Sequence, residues 1–207
     1  MSLLIVPLAR DMVDEVVRLH CETFPGFMNT RLGRRYLFAI IDWFRKQADA
    51  IALAAIDDGK VAGYTVGAPV GHDRKMNRDL LAVAATSMIL RPWVLFDAGF
   101  MRQIGLRLKV LIRGKGTKPP ELVLPPPTMR LVEIGVSPKM QGKKIGDRLM
   151  AAFESESYSR GMKSLRLSVD ANNLAARRLY ERRGWLPFTH SWKESMSYYS
   201  IFPETRP

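Results

Sequence analysis

Six residues, Gln141-Gly142-Lys143-Lys144-Ile145-Gly146, carry the clearest chemical signal in the chain. They follow an apolar run, Met129 to Val136, which Pro138 ends, and they open a stretch with helix spacing. A helix start leaves N–H groups without intrahelical partners and carries partial positive charge, so it can hold an anion such as a pyrophosphate. Gly142 and Gly146 would let phosphates approach the backbone, and Lys143 and Lys144 add full charges. A solvated, basic helix start accounts for the same residues, so the turn alone leaves both readings open.

Other chemistries are poorly supplied. The three histidines show no metal-ligand spacing, and Cys21 is the only cysteine, so no intramolecular disulfide and no Cys-based zinc site can form. His20 lies beside Cys21 in a helical stretch, where packing is the expected role of both. No Ser/His/Asp arrangement stands out. The first residues lack the basic and apolar regions of a signal peptide, and no run reaches the ~18 apolar residues of a spanning helix. A reduced, cytoplasmic protein is expected.

The elements that must position the turn follow from spacing. Ser2 to Leu8 reads as a strand, Arg10 to Phe24 as a helix, and Thr30 to Gln47 as a second helix with Leu37, Ile40, Ile41 and Phe44 on one side. Ile51 to Ile56 and Val61 to Val66 flank the turn Asp57-Asp58-Gly59, which predicts a hairpin. Met129 to Val136 is a strand, Gln141 to Arg160 a helix, Leu165 to Val169 a strand and Leu174 to Arg183 a helix. The tail around Leu186, Phe188, Met196, Tyr198 and Ile201 suits a closing strand pair. The 207 residues, 47% hydrophobic and 25% charged, suit a single domain over 1–207.

Charge is unevenly placed. Of a net +12, ten Lys/Arg against three Asp fall between His72 and Lys118, a net of +7. We read this region, about 72–118, as a basic helical insertion. It suits an anionic partner or, equally, a solvated helical face.

Two motifs in order make the reading specific. Val136-Ser137-Pro138 followed by Gln141 to Gly146 resembles the acyl-CoA-binding motif of the GNAT superfamily of N-acetyltransferases. Asn173, Ala176, Leu179, Tyr180, Gly184 and Trp185 resemble its second motif. The resemblance covers 129–185 and departs at Lys144, which stands where the family usually has its first glycine. It implies an α/β fold with a mixed, mostly antiparallel sheet of six to seven strands, helices on both faces, and the insertion preceding the fourth strand. It also implies acetyl-CoA as acyl donor, with no metal.

Residue roles follow from that resemblance. The backbone of Gln141, Gly142, Lys143, Lys144, Ile145 and Gly146 would cradle the pyrophosphate. The edge of Ile134, Gly135 and Val136 would pair with the pantetheine arm, and one of its N–H groups would polarise the acetyl carbonyl. Asn173 would contact the pantetheine, and Ala176 and Arg183 would flank the cofactor. Tyr180 is the expected general acid, since a phenol of pKa about 10 can protonate a departing thiolate. Glu133 is the expected base, although strict alternation places it on the face opposite Val132 and Ile134 unless a bulge re-aims it. Ser168, Asp170 or a water chain are weaker options for the base, and His190 could line the acceptor cleft.

The acceptor would enter between the first helices and the C-terminal strands. Phe24, Phe27, Arg31, Arg34 and Arg35 make that mouth aromatic and basic, which suits a small primary amine carrying an acidic or phosphate group. Nucleic-acid and membrane contacts are not expected, and a homodimer is compatible with the insertion. Two alternatives stand beside acetyl transfer: a longer acyl-CoA or acyl carrier protein as donor, or a non-catalytic acyl-CoA-binding module docking on an anionic partner.

Overall fold

The computed structural model describes residues 3–93, 124–188 and 196–202. In chain order they form β1 (Leu4–Pro7), α1 (Val13–Thr23), α2 (Met28–Leu32), α3 (Arg34–Lys46), β2 (Ile51–Asp57), β3 (Lys60–Pro69), α4 (His72–Asp79) and α5 (Leu81–Ile89). Then come β4 (Thr128–Val136), a 3-10 turn (Pro138–Met140), α6 (Ile145–Ser159), β5 (Ser164–Asp170), α7 (Leu174–Arg182), β6 (Leu186–Phe188) and β7 (Met196–Ile201). The strands make one seven-stranded sheet in the order β1-β2-β3-β4-β5-β7-β6. Only β4 and β5 run parallel. The expected mixed, mostly antiparallel sheet is therefore present.

Amphipathic helices cover both faces. On one side, Val13, Val16 and Val17 of α1 and Leu37, Ile41 and Phe44 of α3 pack with Tyr64 and Val66 of β3. On the other, Met150 and Phe153 of α6 and Tyr180 of α7 pack with Met129, Leu131, Leu165 and Leu167. The β2–β3 turn places Asp58 at φ 48° and Gly59 at φ 75°, the paired left-handed residues of a tight hairpin.

Two helices differ from their sequence expectation. The expected helix from Thr30 to Gln47 is two helices, because Gly33 sits at φ 94° and the guanidinium of Arg91 fills the space a Cβ would take. The expected helix from Gln141 starts only at Ile145, since Gly142 at φ 81° and Lys144 at φ 58° cannot continue a right-handed helix. Within the basic region, α4 and α5 occupy the start as expected. Residues 94–123, with most of its charge, lie outside the described residues, as does His190.

One irregularity shapes everything that follows. β4 and β5 pair only from Thr128↔Ser164 to Arg130↔Arg166. That closed end is pinned by Thr128 Oγ1 against Ser164 Oγ at 2.8 Å and by Lys163 N–H donating to the Pro127 carbonyl at 2.9 Å. Beyond it, β4 continues with β3 and β5 with β7, so the parallel ladder opens into a cleft.

Candidate active site

The cleft leads along β4 toward the turn before α6. Ser137 N–H donates to the Ala62 carbonyl at 2.9 Å, and Met140 N–H to the Ser137 carbonyl at 2.8 Å, which fixes the exit from β4. Lys144 caps α6 from the left-handed region, a conformation that costs a non-glycine residue ~1 kcal/mol. The lysine at this position thus adopts backbone angles that a glycine would take without strain. A Cβ on Gly142 would meet nothing within 4 Å, so the outer side of the turn is open. At Gly146, a Cβ would lie 3.3 Å from Leu179 Cδ2, and this close approach docks α7 on the start of α6.

The second motif divides into a cap, a clamp and an aromatic. Asn173 Oδ1 accepts from the Ala176 N–H at 3.1 Å and closes the first turn of α7. Arg183 donates to buried Glu154 through Nε at 3.0 Å and Nη2 at 2.6 Å, and Trp185 Nε1 donates to the same carboxylate at 2.9 Å. Arg183 and Trp185 therefore tie the end of α7 to α6. Between cap and clamp stands Tyr180, 5% exposed, its ring 6.2 Å from that of Trp185 and 5.8 Å from that of Tyr199. Burial pushes its phenol well above the usual tyrosine range, so it holds its proton.

The middle of β4 carries a bulge. Val66 opposes Glu133 while Gly67 opposes Leu131, which leaves Val132 as the extra residue. Ile134 packs with the α6 side, whereas Val132 packs on the α1 side. Glu133 follows Val132 onto that same side, so the strict-alternation placement fails here, for the reason the bulge supplies. There Tyr64 Oη donates to Glu133 Oε1 at 2.6 Å, and His20 Nδ1 lies 2.5 Å from the same oxygen and 2.7 Å from Tyr64 Oη. His20 is 1% exposed and Tyr64 fully buried, while the Glu133 side chain keeps 13% exposure. Burial, then the Glu133 charge, raises the Tyr64 phenol well above its usual range.

Gly135 lies beside this cluster. A Cβ there would come within 2.7 Å of Tyr64 Cε1 and 3.2 Å of Phe24 Cε2, so any larger residue would have to displace the Tyr64 ring. Phe24 stacks on Phe27 at 4.9 Å, and Phe27 is exposed, which makes an aromatic path from the cluster to the surface. Burial raises the Cys21 thiol, with Arg34 and Arg91 only partly opposing, so Cys21 has no activated thiolate.

The remaining expected residues are placed as follows. Ser168 sits on β5 opposite Tyr198, and Asp170 accepts from the Asn172 N–H at 2.8 Å in a local turn. Neither contacts Glu133, although both lie on β5, across the opening from β4. His20 and Tyr64 were not anticipated as site residues. The available signal was a histidine in register with Val16 and Val17 on a buried helix face, where a polar ring demands a partner. Among the described residues no cluster of three or more His, Cys, Asp or Glu could hold a metal ion, and no helix is long and apolar enough to cross a membrane.

Comparisons with known proteins converge on one fold. Residues 109–185 match the acetyltransferase (GNAT) family model. The structure of PaiA N-acetyltransferase from Thermoplasma acidophilum in complex with coenzyme A aligns with a TM-score of 0.61 at 14% identity, covering 98% of this chain and 99% of that one. An N-acetyltransferase from Staphylococcus aureus Mu50 aligns at 0.60 and 10% identity over 98% and 99%. The ribosomal-protein-S18-alanine N-acetyltransferase of Escherichia coli aligns at 0.56 and 14% identity over 96% and 91%. A sequence search among curated proteins finds no match.

Proposed function

We propose that this chain, which carries a GNAT acetyltransferase domain, transfers an acetyl group from acetyl-CoA to a primary amine by direct attack in a ternary complex. The observation that carries this reading is the opening of the β4–β5 ladder toward the Gly142–Lys144 turn. An extended arm laid in that opening would take the backbone groups of Ile134, Gly135 and Val136 as a strand takes its neighbour. The N-terminus of α6, with Lys143 and Lys144 on an open turn, is chemically suited to the pyrophosphate. Asn173 and Ala176 at the start of α7 would border the arm, and Arg183 would act through its clamp on α6 more than by direct contact.

Tyr180 is then the group that protonates the leaving thiolate, for which a phenol that keeps its proton is required. Glu133 takes the amine proton. At neutral pH only about one part in a thousand of an amine with pKa near 10 is free base, so an acceptor for that proton is needed. Phe24 and Phe27, with Arg34 and Arg91 nearby, favour an acceptor that carries an acidic or phosphate group.

Isothermal titration with acetyl-CoA, and separately with desulfo-CoA, tests the premise. One saturable site per chain is expected for both. Absence of binding at millimolar concentration would overturn the donor assignment, and the basic region would become the place to look for a ligand.

A further inference from the structure

We infer that His20 and Tyr64 form a neutral two-donor clamp that holds Oε1 of Glu133 and leaves Oε2 as the single oxygen able to take the acceptor's proton. This rests on the reading of Glu133 as the base, and extends it to two residues that no motif covers.

Three atoms, His20 Nδ1, Tyr64 Oη and Glu133 Oε1, stand 2.5 to 2.7 Å from one another. Tyr64 supplies one proton to this triangle. Were Nδ1 bare, its lone pair would face a carboxylate oxygen at 2.5 Å with no hydrogen between them. Nδ1 therefore carries a hydrogen. The other ring nitrogen, Nε2, is buried without a hydrogen-bond partner among the described residues. A proton there would be an unsatisfied buried donor on a cation, which is costlier than an unsatisfied lone pair. His20 is accordingly the neutral Nδ1–H tautomer.

The consequence is chemical. An imidazolium would neutralise Glu133 and weaken it as a base. Two neutral donors instead orient the carboxylate without cancelling its charge. Among the described residues no donor reaches Oε2, and the side chain keeps 13% exposure. The titratable groups facing the carboxylate are His20 from α1 and Tyr64 from β3, with Cys21 adjoining Tyr64. His20 and Tyr64 are positioning residues, acting through Glu133.

The first test needs no acceptor. Nitrogen-15 NMR of a chain with three histidines, assigned by His20→Gln, should show a protonated Nδ1 and a bare Nε2 for His20 at pH 7. An imidazolium, or the opposite tautomer, at pH 7 overturns the clamp even if acetyl transfer is real. Conversely, the tautomer stands if acetyl transfer fails, which separates the two claims. The second test is kinetic, using the amine turned over fastest in a panel that includes 2-aminoethyl phosphate. Tyr64→Phe and His20→Gln should lower kcat about 10-fold with KM for acetyl-CoA unchanged. Variants that lose only thermal stability, with kcat unmoved, would reduce the clamp to core packing.

Discussion

The two walls of the cleft, donor and acceptor sides in the proposed reaction, are built on different principles. The donor wall, the turn before α6 together with α7, uses backbone geometry and one buried phenol, and its ion pair of Arg183 with Glu154 serves to hold helices together. The acceptor wall, α1 with β3 and the bulge of β4, uses side chains alone: Glu133, His20 and Tyr64 around a single oxygen. A thiolate needs a proton from a group that keeps it, and an ammonium needs a group that is already ionised. In the proposed mechanism, burying Tyr180 serves the first need, and surrounding Glu133 with neutral donors serves the second. Exchanging the environments would disable both.

The largest effect should come from the acceptor wall. Glu133→Gln keeps an oxygen for the two donors but removes the proposed base, and should lower kcat about 10³-fold while the acetyl-CoA Kd stays as in the parent chain. A parallel loss of acetyl-CoA binding would show that the two walls are not separable.

Tyr180→Phe sharpens the contrast from the other side. It should lower kcat roughly 10²-fold with little change in acetyl-CoA affinity. The parent's alkaline limb carries a sign as well. Burial raises the Tyr180 phenol, so its proton is retained past the usual value near 10, and activity should not fall through deprotonation of this residue below about pH 10. The stability that this phenol contributes is likewise complete below about pH 10 and is lost as pH rises beyond it. A Tyr180→Phe chain whose melting temperature falls as steeply between pH 10 and 11 as the parent's would remove Tyr180 as the source.

The contrast also explains what the sequence could reveal. The donor wall was legible because backbone chemistry leaves fixed marks: glycines at a turn, an Asn cap, an aromatic after the closing glycine. Its one unforeseen feature was the start of α6 at Ile145, since a lysine in a left-handed conformation cannot be recognised from residue type. The acceptor wall was legible only in Glu133. His20 comes from α1 and Tyr64 from β3, 44 residues apart in the chain, and the bulge that unites them with Glu133 is a register shift between strands. Registers depend on pairing across the sheet, which local spacing does not encode. Gly33 shows the same limit, because its partner Arg91 lies in a distant segment.

Gly135→Ala tests the acceptor wall without touching a polar atom. The added methyl would meet the Tyr64 ring at 2.7 Å, so the ring must move and Glu133 loses a donor. We expect kcat to fall about 10-fold and stability to fall by about 1 to 3 kcal/mol, the usual cost of overpacking a filled site. If the fall in kcat is absent while stability drops, Tyr64 does not act on Glu133.

Lys144→Gly should have the smallest effect and probes the donor wall alone. Glycine would relieve the left-handed strain, worth ~1 kcal/mol, but its greater freedom in the unfolded chain costs 0.5 to 1 kcal/mol, roughly the same. The melting temperature should therefore stay within about 2 °C of the parent. Titration of acetyl-CoA at low and moderate salt then isolates the ammonium. If the charge of Lys144 aids the pyrophosphate, the variant should bind several-fold more weakly at low salt, and the gap should narrow as salt screens it. Tighter binding of the glycine variant at both salts would mean that this side chain obstructs the phosphates, and that the backbone of the turn supplies the anion site by itself.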